Sequence, residues 1–220
     1  MKRRIVTTSD GSKTINLEDW NEHYHSTHGA VNEACHVFID HGLAVCQQRE
    51  IRILEVGFGT GLNALITLHE AQKNNLVIQY TGVEAYPVSM EEVVELNYAR
   101  ELGLERLEQA YREMHLGNWD HPFRLTPEFT LTKQKKDFSQ ISDEQAYDLI
   151  YFDAFGPRVQ PELWTESMFT KMFNALKSKG VLVTYSAKGS VRRAMQAVGF
   201  TVERLPGPPG KREMLRAFKP

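Results

Sequence analysis

The stretch from residue 51 to 61 constrains the fold more than any other. Six mostly apolar residues, Ile51-Arg52-Ile53-Leu54-Glu55-Val56, run directly into Gly57-Phe58-Gly59-Thr60-Gly61. Alternating glycines let a backbone leave a strand, turn sharply and enter a helix while a ligand approaches closely. A helical run over 62–71 follows at once, and the alternation then repeats. Strands are predicted at 76–83, 129–132, 147–152 and 181–185, and helices at 89–102, 166–179 and 190–198, with Gly180 and Gly199 as stops. Strands separated by helices need crossover connections, so they lie parallel in a sheet covered on both faces. The last two strands, 201–205 and 214–218, are joined by Pro206-Gly207-Pro208-Pro209-Gly210 and are predicted to pair as an antiparallel hairpin. The fold class is therefore α/β.

Ahead of this pattern, 4–8 and 13–17 flank Ser9-Asp10-Gly11-Ser12, a hairpin signal, and a helix is predicted at 31–41 with Gly42 as its stop. The chain divides into an N-terminal extension, 1–48, expected to form a lid and the substrate side, and an α/β domain, 49–220. Hydrophobic residues at 41% and charged residues at 25% suit one well-packed domain and exclude collagen-like or disordered chains. Cys35 and Cys46 are too few for a disulfide framework, no apolar run approaches the roughly 18 residues of a membrane span, and no signal-peptide core follows the basic start. A cytoplasmic protein without membrane contact is the expectation. The net charge of −2 conceals an asymmetry: residues 188–220 carry eight basic against two acidic side chains, +6, so the rest carries −8. A basic end suits an anionic partner, and a solvated helix face with a basic tail would give the same count.

In a mostly parallel sheet, ligands bind beyond the carboxyl ends of the strands. The dinucleotide fingerprint needs a glycine where Leu62 stands. The spacing of Gly57, Gly59 and Gly61 behind Glu55 instead resembles the cofactor loop of Rossmann-like S-adenosylmethionine-dependent methyltransferases. Glu84 ends the next strand, where a carboxylate can accept both hydrogen bonds of a ribose diol and disfavours a 2′-phosphate. Its alternative role, starting a helix, is already served by Pro87 and Ser89. Asp137 follows the third strand, where methyltransferases of this class often place an acid toward the adenine amino group. An ion pair with Lys135 or Lys136 is the alternative. Asp153 ends the fourth strand within Tyr151-Phe152-Asp153-Ala154-Phe155-Gly156-Pro157. An ammonium acceptor must lose a proton before it can attack a methyl donor, and a carboxylate at this place can take it. Capping the loop or holding the substrate remains open for Asp153.

Three further blocks resemble the tRNA wobble-uridine methyltransferases that complete 5-methylaminomethyl-2-thiouridine. They are Tyr24-His25-Ser26 with Gly29-Ala30, Glu33 and His36-Val37-Phe38-Ile39; Asp153 to Pro157 with Pro161-Glu162-Leu163-Trp164; and Thr184-Tyr185-Ser186-Ala187-Lys188-Gly189 with Val191-Arg192-Arg193 and Gly210-Lys211-Arg212-Glu213-Met214. The resemblance spans about residues 10–217. It implies a Rossmann-like methyltransferase fold with a mostly parallel seven-stranded sheet. It also implies S-adenosyl-L-methionine as cofactor, methylation of the exocyclic amine of 5-aminomethyl-2-thiouridine, and Asp153 as the acid nearest that amine. Tyr24, His25 and Phe155 fall on the substrate side. Arg192, Arg193, Lys211 and Arg212 are expected to contact phosphates of the tRNA anticodon region. Many family members carry a fused flavin-dependent oxidase half, for which these 220 residues leave no room, so a stand-alone form served by a separate upstream oxidase is expected. Lys136 departs from the glycine that related sequences often place before the adenine-side acid.

Five histidines, His23, His25, His28, His36 and His41, lie close in sequence, but their spacing is poor for a metal and none is expected. Gly210-Lys211 is not a phosphate loop, because Leu205 and Arg212 occupy its key positions. Trp119, His121 and Phe123, in a stretch read as irregular, either stack on an unstacked base or pin a loop to the core. Two rival functions fit the same fold: a small-molecule amine methyltransferase or aminopropyltransferase, and a non-catalytic RNA-binding module.

Overall fold

A computed structural model describes residues 2–220. Strands β1 (Arg3–Thr7), β2 (Lys13–Leu17) and β3 (Glu22–His23) form a small antiparallel sheet in that order. Helix α1 (Ala30–Ala34) continues through wider π-helical turns over Cys35–Asp40. The alternating part then runs β4 (Glu50–Val56), α2 (Leu62–Asn74), β5 (Val77–Val83), α3 (Met90–Leu96), α4 (Tyr98–Glu101), α5 (Glu108–Leu116), β6 (Pro122–Thr126) and β7 (Phe129–Gln134). It finishes with β8 (Tyr147–Phe152), α6 (Glu166–Ala175), β9 (Leu176–Thr184), α7 (Gly189–Val198), β10 (Thr201–Pro206) and β11 (Glu213–Phe218).

The main sheet has eight strands in the order β10-β11-β9-β8-β4-β5-β7-β6. Its five central strands, β9, β8, β4, β5 and β7, are parallel, and the hairpin β10–β11 pairs antiparallel to β9. The mostly parallel sheet and the closing hairpin match the sequence reading. The strand count does not, because β6 adds an eighth strand antiparallel to β7, with a bulge between Arg124 and Thr126. Phe123 therefore stands in a strand, not in an irregular stretch.

Three other departures have local causes. The run 89–102 is two helices, broken where Asn97 takes a left-handed conformation, φ 50°. Helix α6 stops at Ala175 instead of Lys179, because the chain already turns extended at Leu176 and Gly180 joins β9, with its carbonyl accepting from Lys219 N. Helix α5 went unpredicted: its charged residues mask the buried pair Tyr111 and Met114.

Alternate residues of β4 serve opposite faces, as a parallel strand buried on both sides requires. Ile51 and Ile53 pack with α2, α5 and the N-terminal extension, whose Ile15, Leu17 and Phe38 belong to the same apolar cluster. Leu54 and Val56 pack against α6 and α7. No helix among the described residues is long and apolar enough to cross a membrane.

Register places the site. Val56 of β4 pairs with Val83 of β5 and Phe152 of β8, so the three strands end level. The next residues, Gly57, Glu84 and Asp153, emerge together where the chain order reverses across β4. Because the extension shares the main core, Ile15→Ala should destabilise the whole protein by about 2–5 kcal/mol in a single urea transition. An unchanged midpoint would show that the small sheet folds apart from the rest.

Candidate active site

The glycine loop turns where the sheet leaves no room for side chains. The amides of Gly57 and Phe58 both donate to Val83 O, each at 3.0 Å, and Asp153 N donates to Val56 O at 3.0 Å. Gly57 sits at φ 97°, and a Cβ there would lie 2.7 Å from the carbonyl oxygen of Asp153. Gly59, at φ 48°, faces the ring of Tyr24, which a Cβ would meet at 3.2 Å. Gly61 takes a left-handed conformation as the residue before α2. The loop thus bends tightly and presents its backbone to a cavity of about 980 Å³.

Glu84 closes one side of this cavity. Its carboxylate accepts from Gly59 N at 3.0 Å and Tyr86 N at 2.8 Å, so it braces the glycine loop while keeping free lone pairs. Burial raises its pKa, and the backbone donors oppose that rise. Helix α3 is started by Ser89, which exchanges a reciprocal pair of hydrogen bonds with Glu92, so Glu84 is not needed for that task.

Asn63, in the first turn of α2, organises the floor. Its Nδ2 donates to Oε1 of Glu55 and to Oδ2 of Asp153, both at 2.8 Å. Oε2 of Glu55 and Oδ1 of Asn63 are buried with no hydrogen-bond partner among the described residues. Burial, then the nearby Asp153 charge, pushes Glu55 well above the usual carboxylate range. Asp153 keeps part of its surface open to the cavity, yet the surrounding protein raises it to about 7. Burial is the main cause and the Glu33 carboxylate adds to it, while the Asn63 hydrogen bond and the Lys211 ammonium oppose it. The sequence reading missed Asn63; its signal was a lone amide within the apolar start of α2, two residues beyond Gly61.

The N-terminal sheet supplies the opposite wall. Phe155 stands edge-on to Tyr24 and Trp20, with ring centroids 5.1 and 5.6 Å away. Arg3 donates to Tyr86 O at 2.7 Å and pairs with Glu92 at 3.0 Å, which pins this sheet to α3; no local signal marked it. His25 lines the cavity, and its Nδ1 lies 3.4 Å from Thr14 Oγ1. Burial, assisted by the Lys211 charge, lowers its pKa to about 4, so it is neutral near pH 7.

The remaining residues divide between cavity and surface. Asp137 lies at the cavity rim, exposed, with Oδ1 accepting from the amide and hydroxyl of Ser139. Lys211 turns inward, away from the outer basic face: its ammonium is paired with Glu33 and lies 3.9 Å from the Tyr185 ring centroid. Arg193 and Arg212 are exposed and Arg192 half-buried, and none of the three has an ion-pair partner among the described residues. Trp119 and Phe123 flank the Lys133 ammonium at 4.7 and 6.0 Å, so these aromatics pin their loop to the core. His23 bonds Asn16, while His36 contacts Pro206 O and packs on His41.

The profile of the S-adenosyl-L-methionine-dependent methyltransferase family matches residues 107–220. Two curated relatives are named tRNA 5-methylaminomethyl-2-thiouridine biosynthesis bifunctional protein MnmC. The chain is 32% identical to that of Cupriavidus necator over 90% of its own length and 32% of the relative's. It is 34% identical to that of Aromatoleum aromaticum over 97% and 35%. The chain therefore spans about a third of the length of the curated relatives it matches. Among solved structures, MNMC2 from Aquifex aeolicus superposes with a TM-score of 0.74 at 27% identity, covering 98% of this chain and 70% of that one. Spermidine synthase from Thermotoga maritima, at 15% identity and a TM-score of 0.56, covers 99% of this chain and 68% of that one and shares the fold.

The raised pKa of Asp153 has a consequence for stability. The folded state holds a proton that the unfolded chain, with an ordinary carboxyl near 3.8, releases earlier. Stability is therefore lost as pH rises from about 4 to about 7, and the penalty is complete above that. Asp153→Asn should remove it, matching the parent at pH 4 and exceeding it at pH 8 by up to about 4 kcal/mol. Urea unfolding at the two pH values measures this, and an unchanged pH slope would contradict the placement.

Proposed function

The chain belongs to the S-adenosyl-L-methionine-dependent methyltransferases, and from that premise we propose that it methylates the exocyclic amine of 5-aminomethyl-2-thiouridine at the tRNA wobble position. The product is 5-methylaminomethyl-2-thiouridine, the compound whose biosynthesis names the relatives. One observation carries the proposal to this chain: a carboxylate held near neutrality, Asp153, borders the same cavity as the glycine loop and the Tyr24–Phe155 aromatic wall.

The residues present fit S-adenosylmethionine. The glycine backbone leaves space that side chains would fill, and Glu84 faces the cavity with lone pairs in reserve. In this proposal Glu84 would hold the ribose hydroxyls, and Gly57, Gly59 and Gly61 would accommodate the cofactor along the loop. Asp137 would lie toward the adenine. Glu55, with one oxygen unpartnered among the described residues, would support the polar floor from behind through Asn63. When bound, the cofactor supplies a methyl group on a sulfonium that departs as a neutral thioether.

The protein's own part is to deliver an amine with a free lone pair. An aminomethyl group is largely ammonium at neutral pH. Asp153 attracts that cation and can then accept its proton, and a base with a pKa near the working pH serves best. Such transfer contributes about 10²–10⁴-fold, and aligning donor and acceptor contributes more. Arg192, Arg193 and Arg212 would contact phosphates of the anticodon region, placing the wobble base at the cavity mouth. An oxidase acting upstream would uncover the amine by removing a carboxymethyl group, and the cytoplasm is the compartment proposed.

The deciding measurement is mass spectrometry of wobble nucleosides after purified protein, S-adenosylmethionine and tRNA bearing the 5-aminomethyl group are combined. Conversion to the methylaminomethyl form supports the proposal, and no added methyl group rejects it. Two variants separate the roles. Asp153→Asn should lower turnover at least about a hundredfold with cofactor affinity held, whereas Glu84→Ala should weaken cofactor binding by calorimetry. Replacing Arg192 and Arg193 with Glu should weaken tRNA binding and flatten the dependence of log K on log salt by about 1–2. An unchanged slope would remove this face as the RNA surface.

A further inference from the structure

Glu33 and Lys211 line the cavity, and the chemistry above uses them only through the effect of their charges on Asp153. Glu33 is almost fully buried in α1; its Oε1 accepts from Ser26 N at 3.2 Å and its Oε2 from the ammonium of Lys211, 178 residues away in sequence. Lys211 comes from the turn before β11 and lies over Tyr185, which follows β9. Desolvating even one member of an ion pair is costly, and here Glu33 is buried while Lys211 keeps part of its side chain open to solvent. A pair assembled from distant segments in a cavity wall is therefore better explained by recognition than by packing.

Its hydrogen-bonding capacity is only partly used. An ammonium has three N–H donors; Glu33 takes one, the Tyr185 face attracts another, and one remains. Each oxygen of Glu33 accepts one bond and retains a lone pair. The same cavity carries the aromatic wall of Trp20, Tyr24 and Phe155. An aromatic wall with polar groups at its margin is the usual way to hold a base taken out of its stack. The imide edge of a uracil ring shows an N3–H donor flanked by carbonyl or thiocarbonyl acceptors. The Glu33–Lys211 couple shows the complementary pattern, an acceptor beside a donor. His25, neutral near pH 7, adds no second positive charge against the incoming amine.

We propose that Glu33 and Lys211 read the imide edge of the acceptor base. Glu33 accepts from N3–H, Lys211 donates to a neighbouring carbonyl or thiocarbonyl, and the ring is thereby turned so that its C5 substituent meets Asp153. The assignment rests on the wobble-uridine reading and adds specificity residues to it.

Two synthetic anticodon stem-loop RNAs test it, one with 5-aminomethyl-2-thiouridine at the wobble position and one with the same base methylated at N3. The unaltered protein should show kcat/KM at least about tenfold lower on the N3-methylated RNA, the loss expected for a hydrogen bond to a charged group. Lys211→Met, assayed at a pH high enough to ionise Asp153 in both proteins, should raise KM on the parent RNA about tenfold or more with kcat within about threefold. Glu33→Ala should erase the preference between the two RNAs. Calorimetric affinity for S-adenosylmethionine, retained in both variants, reports that the fold is intact. The comparison of the two RNAs by the unaltered protein needs no variant to fold. Equal kcat/KM on both, or a Lys211→Met effect confined to kcat, overturns the inference and leaves the wobble-amine function standing. Absence of turnover on the parent RNA overturns both.

Discussion

One amide group holds the centre of this molecule together. The Nδ2 atom of Asn63 donates one hydrogen to Glu55 and the other to Asp153, two acids carried by neighbouring parallel strands. Left alone, two carboxylates in such surroundings would repel each other and suffer the full cost of lost hydration. The amide satisfies one oxygen of each, while burial keeps both pKa values high, the Asp153 charge adding to it at Glu55 and the Glu33 charge at Asp153. The balance depends on where α2 starts. That start is set by the glycine loop, which has space to turn only because Gly57 carries no side chain against the Asp153 carbonyl. Strand register, loop geometry and acid strength are therefore one arrangement.

The extension completes the cavity instead of merely covering it. Arg3 pins the small sheet to the segment after Glu84, and Arg158, beyond β8, pairs with Glu22 at 2.8 Å. The Arg158–Glu22 pair is largely exposed and adds little to stability. The effect of both contacts is positional: they tie the small sheet, which precedes Tyr24, to the main fold beside the cavity.

Much of this was legible in the sequence because it follows from periodicity and from the ends of strands. The parallel strands, the closing hairpin and the gathering of Gly57, Glu84 and Asp153 come directly from the alternation of apolar runs with glycine stops. Strand β6 and helix α5 were not legible, since Pro122 and the charged faces hide a short edge strand and a narrow apolar stripe. Charge counting put Lys211 with Arg192 and Arg193. A count along the chain cannot show which way a side chain turns, and the buried Glu33 decided that for Lys211. Arg3 was illegible for a related reason, as its partners lie more than eighty residues away.

The two rims of the main sheet, β6 and β10, would each offer unpaired backbone groups to another chain. At one rim β6 begins with Pro122, which cannot donate, carries the exposed Arg124 and is kinked by its bulge. At the other, β10 carries exposed Glu203 and Arg204 and ends at Pro206. Charge, proline and bulges are the means by which sheets avoid edge-to-edge growth. A protein with a strongly apolar eight-stranded interior is in this way guarded against templating fibres of itself.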